Sequence, residues 1–202
     1  MKPTLMFALA PLACLLVQAA PLSFDFKDPK GVNQITFKLD APLEAISGSA
    51  SGVSGTVNFD PAAPDTLIGK IVVTTESMHV PNPMMKGHLH SDKWMDAAKY
   101  PEITFEVARV ANVKTAGDET SADVTGDFTL KGVKKSITVP VRLTYLKGKL
   151  KDRVPNLQGD LLVLRSNFSI KRSDFSLNSG QFEDKVANEI QLSLSMSGQS
   201  VH

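Results

Sequence analysis

Residues 87–107 read GHLHSDKWMDAAKYPEITFEV, and this run joins a helix signal to a strand signal. Ser91 or Asp92 offers a short polar side chain that can accept a hydrogen bond from a free helical N–H, so either caps a helix start. Pro101 disfavours helical geometry at Tyr100 and ends the helix there. Ile103, Phe105 and Val107 then alternate with Thr104, Glu106 and Ala108, the period of a strand. The spacing therefore predicts one short helix near residues 91–99, set among strands.

Alternation of the same kind recurs on both sides. Before the helix it appears in Leu22-Phe24-Phe26, Ile35-Phe37-Leu39, Val53-Gly55-Val57-Phe59 and Gly69-Ile71-Val73. After it come Val124-Gly126-Phe128-Leu130, Ile137-Val139-Val141-Leu143-Tyr145, Leu162-Leu164, Phe168-Ile170 and Ile190-Leu192-Leu194-Met196. Lys131-Gly132 between two such runs predicts a hairpin, because glycine accepts the positive φ of a tight turn. Gly48, Gly52 and Gly55 mark a bend or bulge. Strands with one dry and one wet face read as antiparallel. In this number they must hide their edges, and closure does so. The expected fold is all-β: an antiparallel barrel of about eight strands with one short helix. A two-sheet sandwich satisfies the same periodicity.

The first twenty residues stand apart. Lys2 precedes an apolar run from Leu5 to Val17, and small residues at Ala19 and Ala20 offer a cleavage site. This is the pattern of a secretory signal, and the run is shorter than the ~20 residues that cross a bilayer. The expected division is a signal peptide over 1–20 and a β-barrel domain over 21–202. The one cysteine, Cys14, lies inside the signal, and Pro11-Leu12-Ala13-Cys14 is a poor lipoprotein box. The expected location is the periplasm or the medium.

Net charge is +1 over 202 residues and falls to zero without Lys2, which gives nucleic-acid binding no support. One stretch is lopsided. Lys131, Lys134, Lys135, Arg142, Lys147, Lys149, Lys151 and Arg153 face a single acid, Asp152. The plain reading is solvated loops. The sharper one is a rim that attracts anionic head groups or a membrane surface.

Catalytic signals are weak. No GxSxG elbow, P-loop or dinucleotide fingerprint is present, and the chain beyond residue 20 has no thiol. In an extended segment His88 and His90 would face one side and could share a metal, with His79 as a third ligand, but no paired-ligand spacing supports this. The expectation is no enzyme, no metal and no catalytic residue. A metal-dependent hydrolase using His88 and His90 is the weakest alternative.

What remains is inward apolar surface. A barrel of about eight strands either fills its interior or holds one small ligand. The interior candidates are Phe37, Val57, Phe59, Phe105, Val107, Phe128, Leu130, Val139, Val141, Phe168, Ile170, Leu192 and Leu194. Methionine adapts to irregular shapes, so Met84, Met85 and Met95, with His88, His90 and Trp94, are assigned to a pocket mouth. Lys131, Lys134 and Lys135 are the head-group candidates.

Several segments together resemble the YceI-like family: GSASGVSGTVNFDP (48–61), HLHSDKWMDAAKYPEITFEV (88–107), VTGDFTLKGVKKSITVPVRL (124–143), Arg172-Ser173-Asp174-Phe175 and VANEIQLSLSM (186–196). The chain departs from the family at Asp40, where an early strand often carries histidine, and at Trp94-Met95, where two aromatics are common. The resemblance implies a secreted lipocalin-like barrel that carries a long isoprenoid lipid, such as a quinone tail or a polyprenyl phosphate, and no other cofactor. A filled barrel acting by protein–protein contact in an envelope stress response is the alternative. Transient contact with a membrane surface and a homodimer are both compatible with the sequence.

Overall fold

The alternating runs become ten strands in the computed structural model, which describes residues 20–202. They are β1 (Leu22–Asp25), β2 (Gln34–Asp40), β3 (Ala45–Ala50), β4 (Val53–Phe59), β5 (Ile68–Thr74), β6 (Glu102–Ala116), β7 (Glu119–Leu130), β8 (Val133–Leu146), β9 (Gly159–Lys171) and β10 (Glu189–Val201). All pairings are antiparallel. Residues 1–19 of the expected signal-peptide segment, with Cys14, lie outside the described residues.

Ten strands make eight staves. β1 and β2 both pair with β10, through Asp25–Gln199 and then Gln34–Ser195 to Lys38–Gln191. They form one stave interrupted by an excursion at residues 26–33. β4 and β3 pair with β1 and β2 in turn, and form a second stave broken at Ser51-Gly52. β5 through β10 follow in order, and β10 closes the ring. Closure removes the exposed edges that an open sheet of this size would carry.

Glycine sets the breaks and bends. Gly55 has φ +118°, and a Cβ there would run into the carbonyl of Lys70. Lys131 and Gly132 both have positive φ (49° and 74°) and make the two-residue turn between β7 and β8. Two register shifts, after Val107 and after Ala111, bend the long β6.

One end of the barrel is plugged. Phe24, Phe26, Leu150 and Leu162 are fully buried there, and Phe24 and Phe59 both pack on the ring of Tyr145, at 6.3 and 6.4 Å. The Tyr145 hydroxyl donates to the buried carboxylate of Asp160 at 2.7 Å, and the Gly148 N–H donates to the same group at 2.7 Å. Burial, followed by that carboxylate, pushes the Tyr145 phenol up to about 12. A one-turn helix, α2 (Leu150–Arg153), lies across this base. Buried Asn33 ties the excursion to β10 by donating to the carbonyl of Ser197 at 3.2 Å and accepting from its N–H at 2.9 Å.

The helix sits earlier than the sequence pattern predicts. α1 spans Pro83–His90, and residues 91–99 are turns. Asn82 caps α1 by accepting from the N–H groups of Met84 and Met85, and Pro83 supplies a preset φ at the first position. Ser91 ends the helix, its hydroxyl donating to the carbonyl of His88 at 2.7 Å. The Tyr-Pro stop therefore ends a coil of turns, in which Asp96 takes φ 47°.

Candidate functional site

Opposite the base, the barrel is hollow. A cavity of about 700 Å³ occupies the upper half. Strand parity builds its wall, because residues two apart share a face. Leu192 pairs with Phe37 on one side and with Phe168 on the other, while Phe105 pairs with Ile71 and with Phe128. Each of these residues points inward and lines the space. Phe105, Val107, Phe168, Leu192 and Leu194 are only half-buried although their parity is inward. They face space rather than a partner, whereas Phe24, Phe59 and Leu162 at the base are fully buried.

All the interior candidates line this cavity except Phe59, which is 1% exposed and packed in the base. Of the mouth candidates, Met85, His88, Trp94 and Met95 line it. Met84 does not, being 76% exposed on the outer side of α1. His90 also turns away: its Nε2 lies 3.0 Å from the carbonyl of Met78 and its Nδ1 lies 3.8 Å from Glu76. The shared-metal geometry assumed an extended segment. His88 and His90 instead stand two apart on a helix, where such neighbours face different ways. Among the described residues no group of three or more His, Cys, Asp or Glu side chains is placed to hold a metal.

The mouth is covered by two segments. Residues 75–101 join β5 to β6 and are stapled at both ends by buried Thr75, whose N–H donates to the carbonyl of Pro101 and whose hydroxyl donates to that of Tyr100. Residues 172–188 join β9 to β10. Arg172 organises this second segment. It is fully buried, and its guanidinium donates to the carbonyls of Ala187, Leu177, Asn178, Gln181 and Val186 at 2.6–3.3 Å. One face of it lies 5.4 Å from the ring of Trp94 in the first segment. Burial pulls the guanidinium below its ordinary value, and the charge of Glu183 opposes that shift. Arg172 was legible only as part of a motif, because the partners that explain it are main-chain carbonyls.

The lid contributes lining residues that no strand period announces: Met78, Val80, Leu89, Leu177, Phe182 and Val186, with Lys93, Asn178 and Lys185. The three head-group lysines do not line the cavity. Lys131 donates to the carbonyls of Lys93 and Ser176 at 3.1 and 3.3 Å, Lys134 pairs with Asp127 at 3.3 Å, and Lys135 pairs with Asp174 at 3.3 Å. The basic run is also divided. Lys147, Lys149, Lys151 and Arg153 lie at the base, and Arg142 pairs with Glu119 on the wall.

The chemistry available is enclosure. The wall is aliphatic and aromatic, and a few polar side chains stand at the open end, as in sites for apolar small molecules. Known proteins share this fold. The crystal structure of Burkholderia cenocepacia BcnA superposes with a TM-score of 0.66 at 24% identity, covering 82% of this chain and 95% of that one. A polyisoprenoid-binding domain from Saccharophagus degradans, implicated in plant cell wall breakdown, superposes with a TM-score of 0.64 at 14% identity, covering 89% and 99%. At such identities the likeness concerns the fold. Among curated relatives, a UPF0312 protein of Pseudomonas savastanoi pv. phaseolicola is 37% identical over 94 residues, 46% of this chain and 47% of that protein. Protein YceI of Escherichia coli O157:H7 is 34% identical over 96 residues, 48% of each chain. The matched part thus spans about half the length of these curated relatives. The YceI-like domain itself matches residues 28–197, nearly the whole barrel, and the chain belongs to that family.

Proposed function

We propose that the protein binds and carries a long apolar chain of the isoprenoid type inside its barrel, without chemical turnover. The observation that carries this reading is the open, apolar-lined cavity of about 700 Å³ above a plugged base. A filled barrel acting only by surface contact has no use for such a space. The name of the Saccharophagus degradans neighbour, a polyisoprenoid-binding domain, supports the same ligand class.

The energetics suit the task. Each methylene removed from water is worth about 0.8 kcal/mol, so an isoprenoid tail is driven into a dry wall, and the cost of ordering it returns part of that gain. A barrel that encloses the tail lets it cross an aqueous compartment. The interior candidates, Phe59 excepted, would hold the tail, and Met85, Trp94 and Met95 would close around its entry. Export fits this role: cleavage near Ala20 would release residues 21–202 into the periplasm or the medium.

The test is solvent extraction of the protein purified from its native host, followed by mass spectrometry. An isoprenoid in near-stoichiometric amount is expected. A clean extract, together with no uptake of a prenyl alcohol by the extracted protein, overturns the reading. The N-terminal sequence of the mature protein, expected to begin near residue 21, tests export in the same preparation.

A further inference from the structure

We propose that the mouth end of the barrel docks on the surface of a lipid bilayer through an apolar tip made by Leu43 and Phe182. The purpose of this contact rests on the carriage reading; what is added is the partner that meets the open end. Large apolar side chains stand exposed at several places, and single ones are ordinary on a protein surface. These two are brought together. Leu43 occupies the tip of the β2–β3 hairpin and is 66% exposed, and Phe182 belongs to the second lid segment and is 61% exposed. The Leu43 N–H donates to the carbonyl of Asp184 at 2.9 Å, which joins the two tips. Pro42, beside Leu43, is exposed as well.

Phe182 is held out at a strained backbone. Its φ is 55°, in the left-handed region that a ring-bearing residue seldom adopts, and such a conformation persists only where the surroundings impose it. Here the surroundings are hydrogen bonds. The Phe182 carbonyl accepts from the N–H groups of Lys185 and Val186 at 3.0 and 2.7 Å. Arg172 donates to the carbonyls of Gln181 and Val186, on either side of it. Phe182 also lines the cavity, so one residue borders the apolar interior and water at once. The exposed tip is therefore continuous with the cavity rim, and whatever covers the tip meets the entry too. A bilayer does both, and it supplies an apolar cargo through the same contact without exposing it to water.

The charges beside the tip decide how it docks. Glu44, Glu183 and Asp184 are its neighbours in the chain, with Lys185 following. Lys147, Lys149, Lys151 and Arg153, from the basic run, lie at the opposite end. Docking is thus by insertion of apolar side chains and not by attraction to anionic lipid.

The experiment floats the mature protein, residues 21–202, with vesicles of phosphatidylcholine alone and of phosphatidylcholine mixed with phosphatidylglycerol, at low and high salt. The native protein is expected to associate with both kinds, and salt should change that association by less than about twofold, since no exposed ion contact drives it. Leu43→Ser/Phe182→Asn should lower association about tenfold, the scale of two apolar side chains returned to water. Asparagine tolerates the left-handed backbone, so thermal melts should show no loss of stability. Leu43 does not line the cavity. Leu43→Ser alone should therefore slow transfer of geranylgeraniol from phosphatidylcholine vesicles, while its affinity for the detergent-solubilised alcohol stays within about twofold of the native value. If the double variant melts early, Leu43→Ser and the two vesicle compositions decide the matter. Association with anionic vesicles only, abolished by salt, overturns the proposal in favour of plain electrostatic attraction. Association that the variants keep in full overturns it as well. Native protein that ignores both vesicles overturns it outright, and self-association lost in the double variant, read by analytical ultracentrifugation, would then make a second copy the occupant. Docking without any uptake of the prenyl alcohol overturns carriage and leaves the docking face standing.

Discussion

The two ends of this barrel are built from the same alternating strands and differ in what meets inside them. At the base, Phe24, Phe59 and Tyr145 converge on one another and on buried Leu162, and α2 seals the opening. At the mouth, Phe37, Phe105 and Leu194 point inward from equivalent positions and meet empty space. Strand parity decides which side chains enter the barrel. Whether they fill it depends on how far they reach across and on what the connecting segments insert. The base receives Phe26 and Leu150 from its connections, whereas the lids of the mouth lie over the space and contribute only its roof.

The sharpest way to break that contrast is to shorten one aromatic at each end. Phe59→Ala should cost about 3–5 kcal/mol, since the base leaves a cavity that cannot collapse. Phe105→Ala should cost less than half of that, about 1–2 kcal/mol, because its ring already borders space. Urea denaturation of both variants checks this, and equal losses would erase the distinction.

Arg172→Met probes the roof. It strands five carbonyls that now accept from one guanidinium, so a loss of about 3 kcal/mol is expected. Hydrogen exchange should accelerate in residues 176–188 and stay unchanged in β8 and β9 near the base. Uniform acceleration would mean that Arg172 holds the whole barrel rather than the lid.

Filling the hollow should be cheap. Leu194→Trp adds bulk where there is room, so stability should stay within about 1 kcal/mol of the native value, while uptake of a prenyl alcohol falls. The same enlargement at Leu162, which is fully buried in the base, should destabilise by about 1–3 kcal/mol. Chemical denaturation with a binding titration on each variant reads both effects.

Another test concerns pH. The Tyr145 phenol is raised from 10.0 to about 12 in the folded state, so the neutral form is favoured by folding. Its contribution is fully present below pH 10 and is lost as pH rises from there through about 12. Tyr145→Phe should flatten the stability profile in that window, as measured by denaturation at several alkaline pH values. An unchanged slope would place the alkaline sensitivity elsewhere.

Much of this contrast is written in the sequence, and part of it is not. The period of two placed Val57, Phe105, Phe128, Val139 and Leu192 on the inner face, because a strand leaves a side chain only two directions. It did not separate Phe59 from Phe37, since both have inward parity and differ only in height along the barrel. The helix was misplaced because Ser91-Asp92 resembles a cap and Tyr100-Pro101 a stop. Asn82-Pro83 is the stronger start, and it sits nine residues earlier. His88 and His90 looked like a pair only while their segment was taken as extended. The head-group lysines showed an excess of charge along the chain, but Asp127 and Asp174, which answer two of them, come from other segments. Lys93, Lys185 and the apolar roof lie on irregular segments, where no period marks the inward side.

The central claim, an apolar chain held in the upper barrel above a sealed base, is tested most directly by methyl NMR during titration with an isoprenoid alcohol. The methyl groups of Ile71, Val139 and Leu194 should shift strongly and saturably, while those of Leu150 and Leu162 should stay in place. Shifts confined to surface methyls, equal shifts at the two ends, or none at all would contradict the account.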